Sequence, residues 1–393
     1  MKVKKTINIP DSVVERFQPL FSLLNAENSQ STILLVGGCV RNLILNEAIT
    51  DIDMATTYTP AKFMSLLEGQ NIKVIPTGID HGTVTALLDN HTIEITTLRK
   101  DVQTDGRHAD VAFTDQWEED AARRDFTMNA LYMDLEGNVF DPTGQGLQDI
   151  EDRTIKFIGD AEERIQEDYL RILRFFRFHA YYGAGDIDSA GLEACKKYAN
   201  KISSLSRERI TQEFFKILYP PKVVETLDTM FQANVLTALK GDGYNPETLE
   251  KLVSLQDQYK DSFDKISAIL SRYFILSGAR ARFHDDLLIF SKVQAAFIVK
   301  LENITQESLF ADEKAIKKAM FYHGRDLVLQ GYLLLLAQGK IKEDKKLIDL
   351  IQTWNIPECP ITGETLLAEG YKTGPELGRE LELRQEEWLE ENV

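Results

Sequence analysis

The sequence predicts an α+β protein in which a mixed strand-and-helix head is followed by an all-helical remainder. Up to about residue 158, short runs rich in Val, Ile and Thr are bounded by Gly, Asn or Asp, as strands joined by turns should be: TILLVGG, NIKVIPTG, GTVTALL, TIEITTLR and TMNALYMDLEG. After about residue 160 such runs fade, and apolar residues recur at helical spacing. Length supplies the third observation, since 393 residues exceed one ordinary core and imply about two to four units.

Within the head, VRNLILNE and PAKFMSLLEG have helical patterning. In the remainder, SRERITQEFFKILY sets Ile210, Phe214, Ile217 and Leu218 on one face, with Ser206 placed to cap the helix. The stretch GYLLLLAQG is too short to cross a membrane and predicts a buried helix, and no apolar run reaches the roughly 18 residues a span requires. The start, MKVKKTINIPDSVVERF, has no apolar core or cleavage site of a secretory signal. Cys39, Cys195 and Cys359 are too scattered for a disulfide framework or a metal knuckle, so a reducing cytoplasm is the expected location. A formal net charge of -17 argues against loose binding to nucleic acid, but it leaves room for a local basic groove. Arginines concentrate at residues 171 to 177.

The chemistry begins in GGCVRNLILNEAITDIDMAT, residues 37 to 56. TDIDMATT has the character of a strand, so Asp51 and Asp53 are expected on one face by the period of two. Two carboxylates that close repel each other unless a cation lies between them, and an all-oxygen setting favours magnesium. A bare Asp-x-Asp also suits a polar strand edge beside a turn. The residues upstream favour the cation: Gly37 and Gly38 follow the apolar strand TILLV and open a helix, where bare amides can approach a phosphate. Arg41, one turn in, adds charge-assisted donors. Together these residues describe a site for a triphosphate and its metals.

This stretch resembles the nucleotidyltransferase signature of the polymerase-β superfamily. More narrowly, it resembles the class II tRNA nucleotidyltransferases that build the CCA end and their bacterial poly(A) polymerase relatives. Asn42 stands where the family usually has Asp. The resemblance implies a head with a mixed five-stranded sheet and helices, then a helical neck, body and tail. Expected bounds are 1–158 for the head, 159–222 for the neck, 223–325 for the body and 326–393 for the tail. It further implies two Mg2+ ions on Asp51 and Asp53, with Glu94 in TIEITT as the candidate third carboxylate, though an exposed strand residue fits that position equally well. DGRHADVAFT resembles the family's flexible loop and brings Asp105, Arg107, His108 and Asp110 near the active site. RRDFTMNALYMD resembles the next motif: Arg124 would contact the triphosphate and Asp125 brace the site, unless Arg124 is simply an ion-pair partner of Asp125.

In EDYLRILRFFRF an acidic residue is followed by arginines at every third position: Asp168, Arg171, Arg174 and Arg177. Neighbours three apart share one side of a helix, but each such step falls about 60° short of a turn, so all four cannot address one base. By resemblance this is the protein template that selects the incoming nucleotide. The chemistry agrees, since an Asp carboxylate accepts from the exocyclic amino group of cytosine or adenine while Arg donates to ring acceptors. Asp168 and Arg171 are expected at the base edge, Arg174 nearby and Arg177 at phosphate or bracing the site. In the tail, GETLLAEGYKTGPELGRELELR resembles the family's helix and Gly-rich turn at Gly370, Gly374 and Gly378, whose amides would approach an RNA backbone, and a simple helical hairpin turn fits equally well. The resemblance therefore implies template-independent addition of CCA to tRNA from CTP and ATP. Poly(A) synthesis, partial CC or A addition, and a catalytically silent RNA-binding protein are the alternatives.

Overall fold

The computed structural model describes residues 1–25, 32–49, 51–68, 70, 72–79, 82–88, 91–105, 108–220, 222–241, 243–279 and 287–392; at 101–105, 108–111 and 307 only the backbone is described. The chain forms two compact units, one of Met1–Leu205 with Gln232–Val235, the other of Ser206–Phe231 with Leu236–Val393.

Among its described residues the first unit holds ten strands: β1 (Val3–Thr6), β2 (Ile33–Val36), β3 (Asp53–Thr56), β4 (Lys73–Gly78), β5 (Thr83–Leu88), β6 (His91–Thr97), β7 (Arg99–Asp105), β8 (His108–Phe113), β9 (Tyr132–Met133) and β10 (Asn138–Phe140). Eight make one mixed sheet in the order β1-β10-β9-β2-β3-β6-β5-β4, and β7 pairs with β8 in a separate hairpin. The sheet is thus larger than the five strands expected. The members that the sequence does not show, β1 and β10, are short, and β1 is exposed along its whole length, so neither carries the apolar alternation that marks a strand in sequence. Every described pairing in the main sheet is antiparallel except that of β3 with β6, whose register sets Asp53 opposite Glu94. A parallel pair needs a crossover, and α3 (Pro60–Leu67) with β4 and β5 supplies it.

β2 is buried at all four positions, which explains its unbroken Ile-Leu-Leu-Val run. It is backed by α1 (Asp11–Asn25), which buries Val13, Phe17, Leu20, Phe21 and Leu24 at helical spacing. β2 runs through Gly37, at φ 74°, into α2 (Gly38–Leu45), which ends at Asn46 in the left-handed conformation. α3 starts from a Thr59 cap with Pro60 in its first turn. The core here gathers Leu34, Val36, Ala55, Leu98, Trp117, Tyr132 and Phe140. After α4 (Trp117–Ala122), a 3-10 turn (Thr127–Asn129) and α5 (Gly146–Glu151), the unit closes with α6 (Ala161–Glu167), α7 (Leu170–Tyr182) and α8 (Ser189–Tyr198).

The second unit is helical from α9 (Arg207–Ile217) onward. Ile210, Phe214, Ile217 and Leu218 are buried as expected. Ser206 does occupy the cap position of α9, but its side chain makes no capping hydrogen bond. The helix Arg325–Ala337 contains the Leu-rich run and buries Leu327 to Leu335 without a gap, at the centre of a core with Phe274, Ile298 and Leu301. In the tail, Gly370 and Gly374 take positive φ between the helices Gly363–Ala368 and Pro375–Asn392. Gly378 lies inside the second of these helices and not in the turn. Among the described residues no helix is long and apolar enough to cross a membrane.

Candidate active site

The site assembles where β2 hands over to α2 beside the parallel junction of β3 and β6. Cys39 ties the two together: its buried Sγ donates to the Val36 and Asp53 carbonyls, at 3.3 and 3.6 Å, and burial pushes its thiol up to about 11. β3 begins at Asp53, so Asp51 precedes the strand and the two do not share a strand face as expected. Asp53 instead has Glu94 directly beside it across the parallel register. Desolvation raises the Asp53 carboxyl, Glu94 raises it further, Arg124 opposes them, and Asp51 adds to the rise. An electrostatic group of three carboxylates and one guanidinium therefore surrounds the start of β3. Among the described residues no three or more His, Cys, Asp or Glu side chains gather closely enough to hold a metal by themselves. The oxygen-only pair still suits magnesium, which takes a few carboxylates and completes its shell with water and substrate phosphate oxygens.

Arg124 reaches this group from the end of α4. A Cβ at Gly37 would stand 3.6 Å from its Nη1, so the bare glycine and the guanidinium share one space. Arg124 does not pair with Asp125. Its Nε and Nη2 donate to Oδ2 of the buried Asp120, at 3.1 and 2.9 Å, and its Nε also donates to the Tyr132 hydroxyl. Asp120 further accepts from Arg123 Nε at 2.9 Å and from the Tyr132 hydroxyl at 2.7 Å. Burial alone would raise the Asp120 carboxyl, but Arg124, Arg123 and Tyr132 hold it at about 2. Burial works against the charge of Arg124 in turn, and Tyr132 and Asp120 outweigh it.

Asp125 serves α7. Burial would raise its carboxyl too, but Arg174 and Asn129 bring it to about 2. Arg174 donates to its Oδ2 through Nε, at 2.8 Å, and through Nη2. Its Oδ1 accepts from Asn129 Nδ2 at 3.1 Å and from the Phe126 amide at 2.8 Å. Asn129 extends the chain, accepting at Oδ1 from Arg41 Nη1 at 2.5 Å. Arg41 also donates from Nη2 to the Tyr182 hydroxyl at 2.7 Å, and from Nε and Nη2 to Asn42 Oδ1 at 3.2 and 2.9 Å. Its guanidinium lies 3.9 Å from the Tyr182 ring centroid. Arg41 is thus buried in a network rather than held open as a fork. Asn42, the departure from the family's Asp, receives two of its bonds.

Asp168 lies outside helix α7. It is the C-cap of α6 in extended conformation, and its Oδ1 accepts from the Leu170 amide at 3.1 Å, closing the first turn of α7. The helical spacing of three therefore holds for Arg171, Arg174 and Arg177 but not back to Asp168. Arg171 pairs with Glu167 and donates to the Arg164 carbonyl at 2.6 Å. Arg164 donates to the Arg123 and Arg124 carbonyls at 2.5 and 2.7 Å. Arg177 lies 4.6 Å from the Phe178 ring centroid; burial lowers the Arg41 guanidinium from its ordinary value, and the charge of Arg177 adds to that lowering. Arg107 lies outside the described residues. Asp105 and His108 pair across the end of the β7–β8 hairpin, so the expected loop is strand up to that point.

Sequence reasoning missed Asp120, Asn129, Tyr132, Tyr182, Glu167 and Arg164. The i,i+3 and i,i+4 spacings of Asp120 to Arg123 and Arg124, and of Glu167 to Arg164 and Arg171, advertise pairs beforehand. Asn129 and Tyr182 meet Arg41, and Tyr132 meets Asp120, through tertiary packing.

A glycine-led helix set beside acidic positions on a mixed sheet, with arginines entering from a following helix, defines a polymerase-β type nucleotidyltransferase. The family model for "Poly A polymerase head domain" matches residues 33–156, and that for "Probable RNA and SrmB- binding site of polymerase A" matches residues 186–248. The mitochondrial CCA tRNA nucleotidyltransferase 1 of Danio rerio is 34% identical, over 92% of this chain and 84% of its own. The CCA-adding enzyme of Streptococcus sanguinis is 33% identical, over 88% and 86%. Two solved structures share the fold: the Bacillus stearothermophilus CCA-adding enzyme in complex with CTP (TM-score 0.71, 24% identity, 96% of this chain and 94% of that one) and the Thermotoga maritima CCA-adding enzyme complexed with tRNA (0.68, 20%, 97% and 94%). The chain belongs to the family of CCA-adding tRNA nucleotidyltransferases.

Proposed function

We propose that this protein adds CCA to tRNA 3′ ends, using CTP and ATP and releasing pyrophosphate. Besides family membership, the observation that carries the reading is the register that sets Asp53 against Glu94, two residues after Asp51 and within the field of Arg124. Asp51 and Asp53 would hold two Mg2+ ions, with Glu94 as the adjoining carboxylate. Ions held there would supply Lewis-acid chemistry, lowering the pKa of the attacking hydroxyl and offsetting charge on the leaving pyrophosphate.

The chain's own residues do the rest. Gly37 and Gly38 leave the amides at the start of α2 open to the triphosphate. Arg124, kept charged by Asp120 and Tyr132, donates to its phosphates, and Arg41 offers the Nη1 hydrogen its network leaves over. Asp168 accepts from the exocyclic amino group of cytosine or adenine. Arg171 and Arg174, braced by Glu167 and Asp125, supply donors beside it, and Arg177 supports the site. Uracil and guanine present a carbonyl oxygen to Asp168 and are rejected. Asp105 and His108, at the end of the β7–β8 pairing, adjoin the substrate, and Arg107 is assigned the same role by resemblance. The division of labour is a head over 1–158, a base-selecting neck over 159–222, a body over 223–325 and a tRNA-binding tail over 326–393, working in the cytoplasm.

The test supplies tRNA transcripts ending before CCA, after C or after CC, with CTP and ATP singly and together. Completion to CCA followed by arrest is expected. Long adenosine tails would reassign the protein as a poly(A) polymerase, addition of C or A alone as a partial enzyme, and no incorporation as a silent RNA binder.

A further inference from the structure

The second unit buries a cation that nucleotide transfer does not use. Arg272, on the helix Lys265–Leu276, is only 7% exposed. Its Nη1 donates to the Leu218 and Tyr219 carbonyls, at 2.7 and 3.1 Å, and so closes the C-terminal end of α9. Its Nε donates to Gln256 Oε1 at 2.8 Å, and Gln256 Nε2 in turn donates to Gln330 Oε1 at 2.7 Å. All these partners are neutral. Burial pushes the guanidinium down to about 10, with only Tyr219 opposing it. A buried charge without a counter-charge is costly, and an incoming anion removes that cost.

The remaining nitrogen, Nη2, donates to nothing among the described residues and is not sealed in the interior. Arg272 forms part of the wall of a cleft of about 940 Å³. That volume falls in the range of small-molecule sites, roughly 300 to 1,000 Å³. Tyr219, Val253 and Phe263 give the cleft an apolar side, and Lys265 Nζ stands 3.6 Å from the centroid of the Tyr219 ring. The lining includes four basic and four acidic residues, so its formal charge balances. A polyanion would meet Glu225, Asp228, Glu250 and Asp257 along with the bases, whereas a ligand with one anionic head would not.

We infer that this cleft binds a small organic anion, with a carboxylate or phosphate monoester head on Arg272 Nη2 and an apolar body along Tyr219 and Val253. The test titrates the full chain with 4-fluorobenzoate, followed by its fluorine resonance, and with phenyl phosphate, followed by its phosphorus resonance. Saturable line broadening is expected from at least one probe, and the stronger binder tells which head the cleft prefers. Arg272→Met should weaken it by about tenfold, the worth of one hydrogen bond from a charged donor. Because that change also removes the closure of α9, Val253→Trp, which fills the cleft and leaves Arg272 in place, carries the decision by abolishing saturation. Equal binding by Val253→Trp, or no binding of either probe to the native chain, overturns the inference. Binding of a short oligoribonucleotide that Val253→Trp abolishes, with neither probe bound, overturns it in favour of RNA backbone.

Discussion

Asp53 and Asp120 share one unit and both feel Arg124, yet their carboxyls move in opposite directions. Asp120 is buried among Arg123, Arg124 and the Tyr132 hydroxyl and sits at about 2. Asp53 faces Glu94 and Asp51 and is raised. One carboxylate has more positive charge than it needs, and the other has less. The saturated group is scaffold, since its charge is spent inside the protein, while the unsatisfied group is the one to which the proposed function assigns a cation.

The largest expected effect comes from breaking the unsatisfied side. Asp53→Asn should lower nucleotide incorporation by roughly 10³-fold, since several kcal/mol of transition-state stabilisation are lost, with thermal unfolding unchanged or slightly raised. Retained turnover would place the metal elsewhere. On the saturated side, Asp125→Ala removes the carboxylate that Arg174 and Asn129 share and should cost roughly 3 kcal/mol in urea unfolding. A loss under 1 kcal/mol would show that Arg174 finds another partner.

The two sides also part in their pH dependence. Asp120 and Asp125 lie below their ordinary value of 3.8, so the stability they contribute is present above about pH 4. It is lost as pH falls towards 2, by about 2 kcal/mol each. Asp53, raised in the folded state, binds its proton more tightly there than in the unfolded chain. Its ionised form therefore costs stability, and that cost disappears as pH falls through its folded pKa. Unfolding curves of the native chain and Asp53→Asn should converge on acidification, and a constant gap would contradict the assignment.

Smaller changes sharpen the boundary between the two groups. Asp168→Ala should keep triphosphate binding and lose roughly tenfold in discrimination against UTP and GTP. It should also lose about 1 kcal/mol of stability with the closure of α7. Unchanged selectivity in competition assays would leave Asp168 with a capping role only. Tyr182→Phe deletes the hydroxyl that receives Arg41 Nη2 and should cost about 1 kcal/mol, measured by urea unfolding.

Much of this was legible beforehand because it is local. The Val- and Ile-rich runs of β2, β5 and β6, the glycine pair before α2, and the helical spacing of Ile210, Phe214 and Ile217 all depend on near neighbours. The misses are nonlocal or sit at boundaries. β1 and β10 are strands only because they pair with each other across more than a hundred residues and β10 pairs with β9, which completes their hydrogen bonds. Asp51 and Asp168 each fell just outside the element assigned to them, because capping and turn geometry decide where a periodic run stops.

By itself the sequence determined which chemistry is present: a glycine-led helix, acidic residues two apart, and arginines at every third position of one helix. The tertiary structure alone decided which charge answers which. Arg124 went to Asp120 and not to its neighbour Asp125, Arg174 took Asp125 from 49 residues away, and Asp53 was left facing Glu94. The physical reason is that a buried charge must find a partner, and the partners within reach are set by packing and register, which order along the chain does not record.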